Sequence, residues 1–450
     1  MFKKIEIWIL YLVLLLGIPL LIGFGLLVRQ ELKGNIKLGK VSKTALFLAE
    51  LPLQIKRLIS TDVEIEDRFH LIDGFDGTPN LNESYMLLSR YSGELKEGIV
   101  ELIDLTNFQV MHTWNPDINE FNKSIEKIGE FKFIGRDNNN NRQTLNSPIL
   151  IRDGGLIFIS APLRKIDACS NLIFQNANIK FHHSIEKDTD GNIWVPSYIY
   201  PQSLPIDEVG RNILTEGGYY DDAIVKLSSD GKILFKKSVS QILIDNGLEY
   251  LLFATGDQAF TKDPIHLNDI QHVDFDGEFW KKGDLFLSLR NQSMVLLYRP
   301  STNQILWKGT GPFFHQHDVD ILNENKISVF NNNSKEFVGG EVVDGHNEVI
   351  IYDFKMDKYF SYLKDSLRKN DVRTITGGQS YIISNGDLFV EETDYGRSLY
   401  FNSDGSLRWT HVNRGKNGKI YRISWSRILH NDEDIDLVNK FLKSRINCNQ

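Results

Sequence analysis

Glu101-Leu-Ile-Asp-Leu-Thr-Asn-Phe-Gln-Val-Met-His-Thr-Trp114 reads as two short strands joined at a small polar turn, the second ending on an aromatic residue. The pattern returns from Leu163 to Phe174, in Ala223-Ile-Val-Lys-Leu-Ser-Ser-Asp-Gly-Lys-Ile-Leu-Phe235, from Met294 to Trp307, from Glu348 to Phe360, and in Arg397-Ser-Leu-Tyr-Phe-Asn-Ser-Asp-Gly-Ser-Leu-Arg-Trp409. Several copies follow a further apolar run that starts at a small polar turn, as in Gly155-Leu-Ile-Phe-Ile-Ser160, Gly191-Asn-Ile-Trp-Val-Pro-Ser197, Gly283-Asp-Leu-Phe-Leu-Ser288, Asn325-Lys-Ile-Ser-Val-Phe330 and Gly386-Asp-Leu-Phe-Val390. The aromatic ends lie 60, 61, 72, 53 and 49 residues apart, the scale of a four-stranded propeller blade with variable loops. The predicted fold is all-β, a six-bladed β-propeller over residues 65–415. A large β-sandwich is the competing architecture, and six matched repeats are hard to place in two sheets.

The flanks differ from this body. Ile7 to Val28 is an apolar run of 22 residues between Lys3, Lys4 and Arg29. That is long enough to cross a hydrocarbon core of roughly 30 Å, and no small-residue cleavage site follows it. Residues 1–30 are therefore predicted to be a transmembrane anchor, and residues 31–64, helical on either side of Pro52, a stalk. Residues 416–450, with the amphipathic stretch after Asp432, are predicted to be a helical extension. Arg29, Lys33, Lys37, Lys40 and Lys43 outnumber Lys3 and Lys4, so flanking charge alone does not orient the anchor.

Composition removes several function classes. Residues 1–60 hold nine Lys/Arg against three Asp/Glu, which leaves the remainder at −14, a poor surface for nucleic acid. Cys169 and Cys448 alone make neither a disulfide framework nor a metal-ligand pattern, and their redox state is not readable. No phosphate-binding loop, dinucleotide fingerprint or Gly-x-Ser-x-Gly elbow occurs. The Asp-Gly pairs at Asp190, Asp230 and Asp404 read as hairpin turns, because the other positions of a calcium loop do not follow.

Chemistry concentrates in Asp263-Pro-Ile-His266-Leu-Asn268-Asp and Phe314-His-Gln-His317-Asp318, with Arg290 between them at the end of an apolar run. In an alternating strand, residues two apart share a face, so His266, Asn268 and His272 are predicted to point one way, and His315 and His317 likewise. His272 and His315 are predicted to be structural. Asp318 should point away from the face of His317. A propeller brings the innermost strands of different blades to one channel, where imidazoles, an amide and a guanidinium can bind an anion, ligate a metal or carry a covalent intermediate.

Taken in order, His182-His183-Ser-Ile-Glu-Lys-Asp-Thr-Asp-Gly191-Asn-Ile-Trp, Asp263-Pro-Ile-His266-Leu-Asn268-Asp-Ile, Asp284 to Arg290-Asn-Gln-Ser, and Gln316-His317-Asp318 followed by Asn325-Lys-Ile-Ser-Val-Phe-Asn-Asn-Asn resemble the motif series of the arylsulfate sulfotransferase (ASST) family over residues 65–415. The resemblance implies a six-bladed propeller that moves a sulfuryl group from an aryl sulfate ester to a phenolic acceptor through a sulfohistidine. It implies neither a nucleotide sulfate donor nor another cofactor, and no metal. It places the nucleophile at His317 and anion-holding residues at His266, Asn268 and Arg290. A further channel histidine falls at His183, with His182 beside it as a candidate substrate contact. The implied partners are a small aryl sulfate and a phenol, with a periplasmic catalytic body; the membrane is a partner through the N-terminal apolar segment, and a homo-oligomer is left open. Asn331 stands where the family often has Asp, and no acceptor-side motif is matched after residue 370. The alternatives are an inactive propeller that binds an anionic ligand or a protein, and a histidine-dependent metallohydrolase; for Arg290 alone the structural alternative is a bridge between blades to a carboxylate.

Overall fold

The computed structural model describes residues 6–32, 39–59, 63–204, 219–254, 262–337, 340–444 and 448. They fall into two units, one with residues 6–32 and 39–59, the other with the rest. The first holds two helices, Ile7–Leu32 and Gly39–Ile59, joined where Ser42 Oγ donates to Glu31 Oε2 at 2.6 Å. Its segment Tyr11–Glu31 is long and apolar enough to cross a membrane and is not buried by protein. Pro52 lies inside the second helix, so the two helical stretches expected around it are one. Lys3, Lys4, Lys33 and Lys37, whose charges bear on orientation, lie outside the described residues.

The second unit is a ring of six antiparallel sheets. From the innermost strand outward, blade 1 is Arg427–Leu429, Tyr85–Ser92, Glu97–Asp104 and Gln109–Trp114. Blade 2 is Asn146–Leu150, Leu156–Ile159, Leu163–Ile166 and Leu172–Asn176. Blade 3 opens with the short pieces Lys180–Phe181 and Glu186–Lys187 and continues with Ile193–Tyr198, Asp222–Leu227 and Ile233–Ser238. Blade 4 is Leu267–His272, Leu285–Leu289, Met294–Arg299 and Gln304–Gly309. Blade 5 is His317–Asn323, Lys326–Asn331, Glu348–Asp353 and Lys358–Tyr362, and carries an inserted hairpin, Ser334–Phe337 with Gly340–Val343. Blade 6 is Gln379–Ile382, Leu388–Glu392, Arg397–Phe401 and Leu407–Val412, with Gly74–Gly77 added outside. Each repeat read from the sequence is the outer hairpin of one blade.

Inner strands such as Leu156–Ile159, Ile193–Tyr198 and Leu285–Leu289 are buried along their whole length, because each sheet is covered on both faces by its neighbours. The apolar cores therefore lie between blades. Trp114, Val100 and Phe158 join blades 1 and 2; Phe286, Val295, Val319 and Val329 join 4 and 5; Trp409, Phe389, Met86 and Ile428 join 6 and 1. Each such side chain stabilises the ring by about 1.5–3 kcal/mol. Polar stitches add to them at the inner strands. Asp269 accepts from the Val319 N–H and Asp318 from the Ser380 N–H, both at 2.8 Å, while Glu391 takes the Trp425 and Ser426 N–H groups.

The ring extends past the boundary expected at residue 415. Arg427–Leu429 supplies the innermost strand of blade 1, and Ile420–Tyr421 pairs with Glu64–Ile65. Strands of two and three residues are too short to show alternation, so the sequence reads as extension there. Helix Asp432–Lys443 follows, capped by Asn431 and packed through Val438 and Phe441 on the core between blades 1 and 2. A disulfide joins Cys169 of blade 2 to Cys448.

Candidate active site

At or beside the start of each innermost strand the backbone turns through positive φ: Ser147 (50°), His183 (61°), His266 (56°), His315 (48°), Gly377 (66°) and Trp425 (53°). A non-glycine residue held there costs about 1–3 kcal/mol, and such strain collects at functional sites. Here it aims loop residues of different blades at one another.

Three of the predicted histidines meet. One ring nitrogen from each of His183, His266 and His317 lies within 4.8 Å of the others, and the His183 ring centroid is 4.9 Å from that of His266 and 6.0 Å from that of His317. His317 is 1% exposed. Its Nδ1 lies 2.7 Å from Asn332 Oδ1, and the Asn332 amide donates to the Thr374 and Gly377 carbonyls, which fixes which end of the amide faces the imidazole. The proton must then sit on Nδ1. Nε2 carries the lone pair, and it accepts the Gly377 N–H at 3.1 Å. Burial holds His317 well below the usual imidazole range, and the Arg290 charge lowers it further; burial does the same to His183, helped by His266. Both are neutral at pH 7.

Arg290 is buried beside this cluster. Its Nη2 is 2.5 Å from Glu341 Oε1 on the inserted hairpin and its Nη1 donates to Asn291 Oδ1, while its Nε is buried without a hydrogen-bond partner. The guanidinium thus does bridge to a carboxylate, yet keeps one donor free. Burial opposes the charge on Glu341, but hydrogen bonds from His315, Ser334 and Arg290 hold it at about 2.

The other predicted residues make contacts of their own. Asn268 is fully buried: its Nδ2 donates to the Gln316 carbonyl at 2.8 Å, bracing the main chain before His317, and its Oδ1 has no hydrogen-bond partner. His182 lies behind His183: its Nδ1 is 2.7 Å from His183 Nδ1, and its Nε2, 3.4 Å from Asp222 Oδ1, is buried without a hydrogen-bond partner. The shared face of His266, Asn268 and His272 is broken by a register shift between Leu267 and Asp269 and by the positive φ of His266. His272 pairs with Asp274 and His315 with Glu341. Asp318 turns to Ser380, away from the His317 ring.

Sequence reading missed Asn332, Gly377, Asp263, Glu341 and Trp425. Asp263 Oδ2 lies 2.5 Å from His266 Nδ1, and the i, i+3 spacing within Asp263-Pro-Ile-His266 was the available signal. Trp425 puts its ring 6.3 Å from His183 and arrives on the ring-closing segment, with no motif around it. Asn331, in the place of the family's Asp, accepts the Phe314 and Asn333 N–H groups through its Oδ1, which an amide does as well as a carboxylate.

Neutral imidazoles, a guanidinium and a backbone N–H around one small volume suit an anion. The same three nitrogens, within 4.8 Å of one another, also form a group that could hold a metal ion; bonds of about 2.0–2.1 Å would set them roughly 3.3 Å apart, and the Arg290 charge would oppose a cation there.

A family model described as Arylsulfotransferase (ASST) matches residues 149–414, more than half of the chain. No curated protein matches. Among solved structures, a Bacteroides caccae protein of unknown function is 14% identical, with 77% of this chain and 98% of that chain covered and a TM-score of 0.44. Hydrazine synthase of Kuenenia stuttgartiensis is 10% identical, with 71% and 78% covered and a TM-score of 0.38. TolB of Acinetobacter baumannii is 9% identical, with 79% and 66% covered and a TM-score of 0.40.

Proposed function

The chain belongs to the arylsulfotransferase (ASST) family, and on that premise we propose that it transfers a sulfuryl group from an aryl sulfate to a phenolic acceptor in two steps through sulfated His317. The observation that carries this reading is the pinned tautomer of His317. A buried, neutral imidazole with Nδ1–H held by Asn332 puts the lone pair on Nε2, which becomes the nucleophile at neutral pH once it gives up the Gly377 N–H. The sulfuryl group carries its charge over three oxygens, and fixed donors around it supply the largest single share of transition-state stabilisation. Arg290 Nε is one donor at hand, and the Gly377 N–H becomes another when His317 Nε2 releases it to attack sulfur. His266, braced by Asp263, turns its other nitrogen to the same volume. Trp425 offers an aromatic face for the aryl ring.

The catalytic body is extracytoplasmic in this reading. Helix Ile7–Leu32 tethers it to the membrane, and a Cys169–Cys448 disulfide persists in an oxidising compartment such as the periplasm. Incubation with a chromogenic aryl sulfate, with and without phenol, tests the function. Turnover stimulated by phenol is expected, as is a sulfuryl adduct on the His317 peptide after exposure to donor alone. His317→Asn should abolish both. An adduct on His183 or His266 would exchange the roles, and turnover with no adduct would replace the covalent route by direct transfer.

A further inference from the structure

His182 and Asp222 have no role in the reaction as described, yet they are buried directly behind it. We propose that Asp222, His182 and His183 form a proton relay that protonates the departing aryl oxygen and recovers the proton from the acceptor phenol; this rests on the sulfuryl-transfer reading above.

Geometry carries the inference. His183 Nδ1 and His182 Nδ1 are 2.7 Å apart, so one of them is protonated and the other is not. Beyond them, His182 Nε2 and Asp222 Oδ1 lie 3.4 Å apart, and both are buried atoms without a hydrogen-bond partner. Buried polar atoms are nearly always paired, so a small reorientation that joins these two satisfies both. Tyr198 stacks on the His182 ring at 4.1 Å and holds it between blade and cluster. Asp222 is fully buried, and its other oxygen accepts the His266 N–H at 3.1 Å.

The direction of the chain follows from its far end. Burial, and then the neighbouring Asp263 charge, push Asp222 well above the usual carboxyl range, so it is a neutral acid. Its O–H then donates to His182 Nε2, His182 Nδ1–H donates to His183 Nδ1, and the one proton of His183 sits on Nε2, the nitrogen left to face the cluster. His266 meets the Asp263 carboxyl through its Nδ1. Of the two, only His183 is backed by a chain of groups that can resupply its proton, which makes it the acid of the relay. The Ser197 carbonyl also lies near the His182 ring and competes for its proton, which makes the relay testable.

The step balances. His317 Nε2 forms the N–S bond as the S–O bond to the aryl group breaks with its electron pair on oxygen. That oxygen takes the proton from His183 Nε2, His183 Nδ1 takes one from His182 Nδ1, and His182 Nε2 takes one from Asp222, which becomes the carboxylate. The acceptor phenol reverses each transfer as its oxygen bonds to sulfur and the electron pair of the N–S bond returns to His317. No proton is gained or lost over the cycle.

A leaving group with a low pKa needs little protonation, so donor identity separates relay from scaffold. The test compares phenyl sulfate with 4-nitrophenyl sulfate for the full-length protein and for His182→Gln and Asp222→Asn. Positioned acids contribute typically 10²–10⁴-fold. Each variant should lose on the order of 100-fold more kcat/KM on phenyl sulfate than on 4-nitrophenyl sulfate. Equal losses on the two donors, or a larger one on the nitrophenyl ester, overturn the relay and leave sulfuryl transfer standing. Should a variant fail to fold, the wild-type proton inventory on phenyl sulfate decides: a curved dependence on the deuterium fraction supports several protons in flight, and a straight one overturns the relay. A wild type silent on both donors overturns the relay together with the functional reading.

Discussion

Asn332 touches no substrate in the proposed reaction, but it decides which nitrogen of His317 is free. Its amide is held by two carbonyls, so Oδ1 can only accept. Removing it leaves the Nδ1–H buried without a partner, at a cost of about 1–3 kcal/mol, and lets the tautomers mix. Asn332→Ala should therefore lower kcat by about 10- to 100-fold with KM little changed, in steady-state kinetics on an aryl sulfate. Arg290 acts on oxygens and not on the nucleophile. Arg290→Lys keeps a charge but loses the planar fork that meets Glu341 and Asn291 while presenting Nε. Weak activity should remain, with a loss of about 2.7–4 kcal/mol in transition-state stabilisation read from kcat/KM; wild-type rates in the variant would remove Arg290 from the anion site.

The blade is the scale at which sequence spoke most clearly, and the reason is local. An outer hairpin such as Glu101 to Trp114 is contiguous, alternates, and ends on a residue that packs into the cleft between two sheets, so its period is visible without any tertiary knowledge. Phe360 shows the limit, since it repeats the aromatic position yet is 43% exposed. Innermost strands were harder to read. Bulges between Leu267 and Asp269 and between His317 and Val319, and positive φ at His183 and His266, break the alternation where the histidines sit. The cluster was thus legible as motifs in order, whereas its geometry, with Asn268 bracing the Gln316 carbonyl and His182 behind His183, was not. Asn332, Glu341 and Trp425 come from a turn, an inserted hairpin and a closing segment that carry no periodic signal. Closure makes a prediction of its own. A chain cut after residue 415 keeps every repeat but loses Arg427–Leu429, exposing the inner edge of Tyr85–Ser92 and the Met86 face beneath Ile428. It should aggregate or lack a cooperative melt, whereas a chain beginning at Val63, which retains Glu64–Ile65 on Ile420–Tyr421, should be soluble and fold. Circular dichroism melts of the two check both outcomes, and full membrane partitioning of the second would end the single-anchor reading.

Across the whole molecule, burial has shifted two sets of groups in ways that oppose each other in pH. His182, His183 and His317 are held well below their usual range and His411 at about 3, each chiefly by burial. The unfolded chain takes protons at these sites below about pH 6.5 and the native state does not, so this set favours unfolding as pH falls through that value. Asp222, Asp318 and Asp320 are pushed well above the carboxyl range and Asp269 to about 7, again chiefly by burial. Here the native state keeps protons that the unfolded chain releases above about pH 4. Their contribution is complete below that value and is lost as pH rises through the native pKa values. Between about pH 4 and 6.5 both sets act, the proton differences cancel, and stability should be nearly flat. Below about pH 4 the acids no longer differ between the two states while the histidines still do, and Asp67 and Glu341, each at about 2 in the native state, add to the loss. Above about pH 6.5 only the buried acids differ, so stability should decline by about 1.4 kcal/mol per pH unit for each proton still retained. Thermal midpoints of the full chain in detergent from pH 3 to 8.5 should accordingly show a plateau on the acid side of neutrality and a fall from pH 7 to 8.5. Asp222→Asn removes one retained proton and should make that alkaline fall shallower; a midpoint that rises steadily to pH 8.5 would mean that these channel carboxyls are ionised in the native protein.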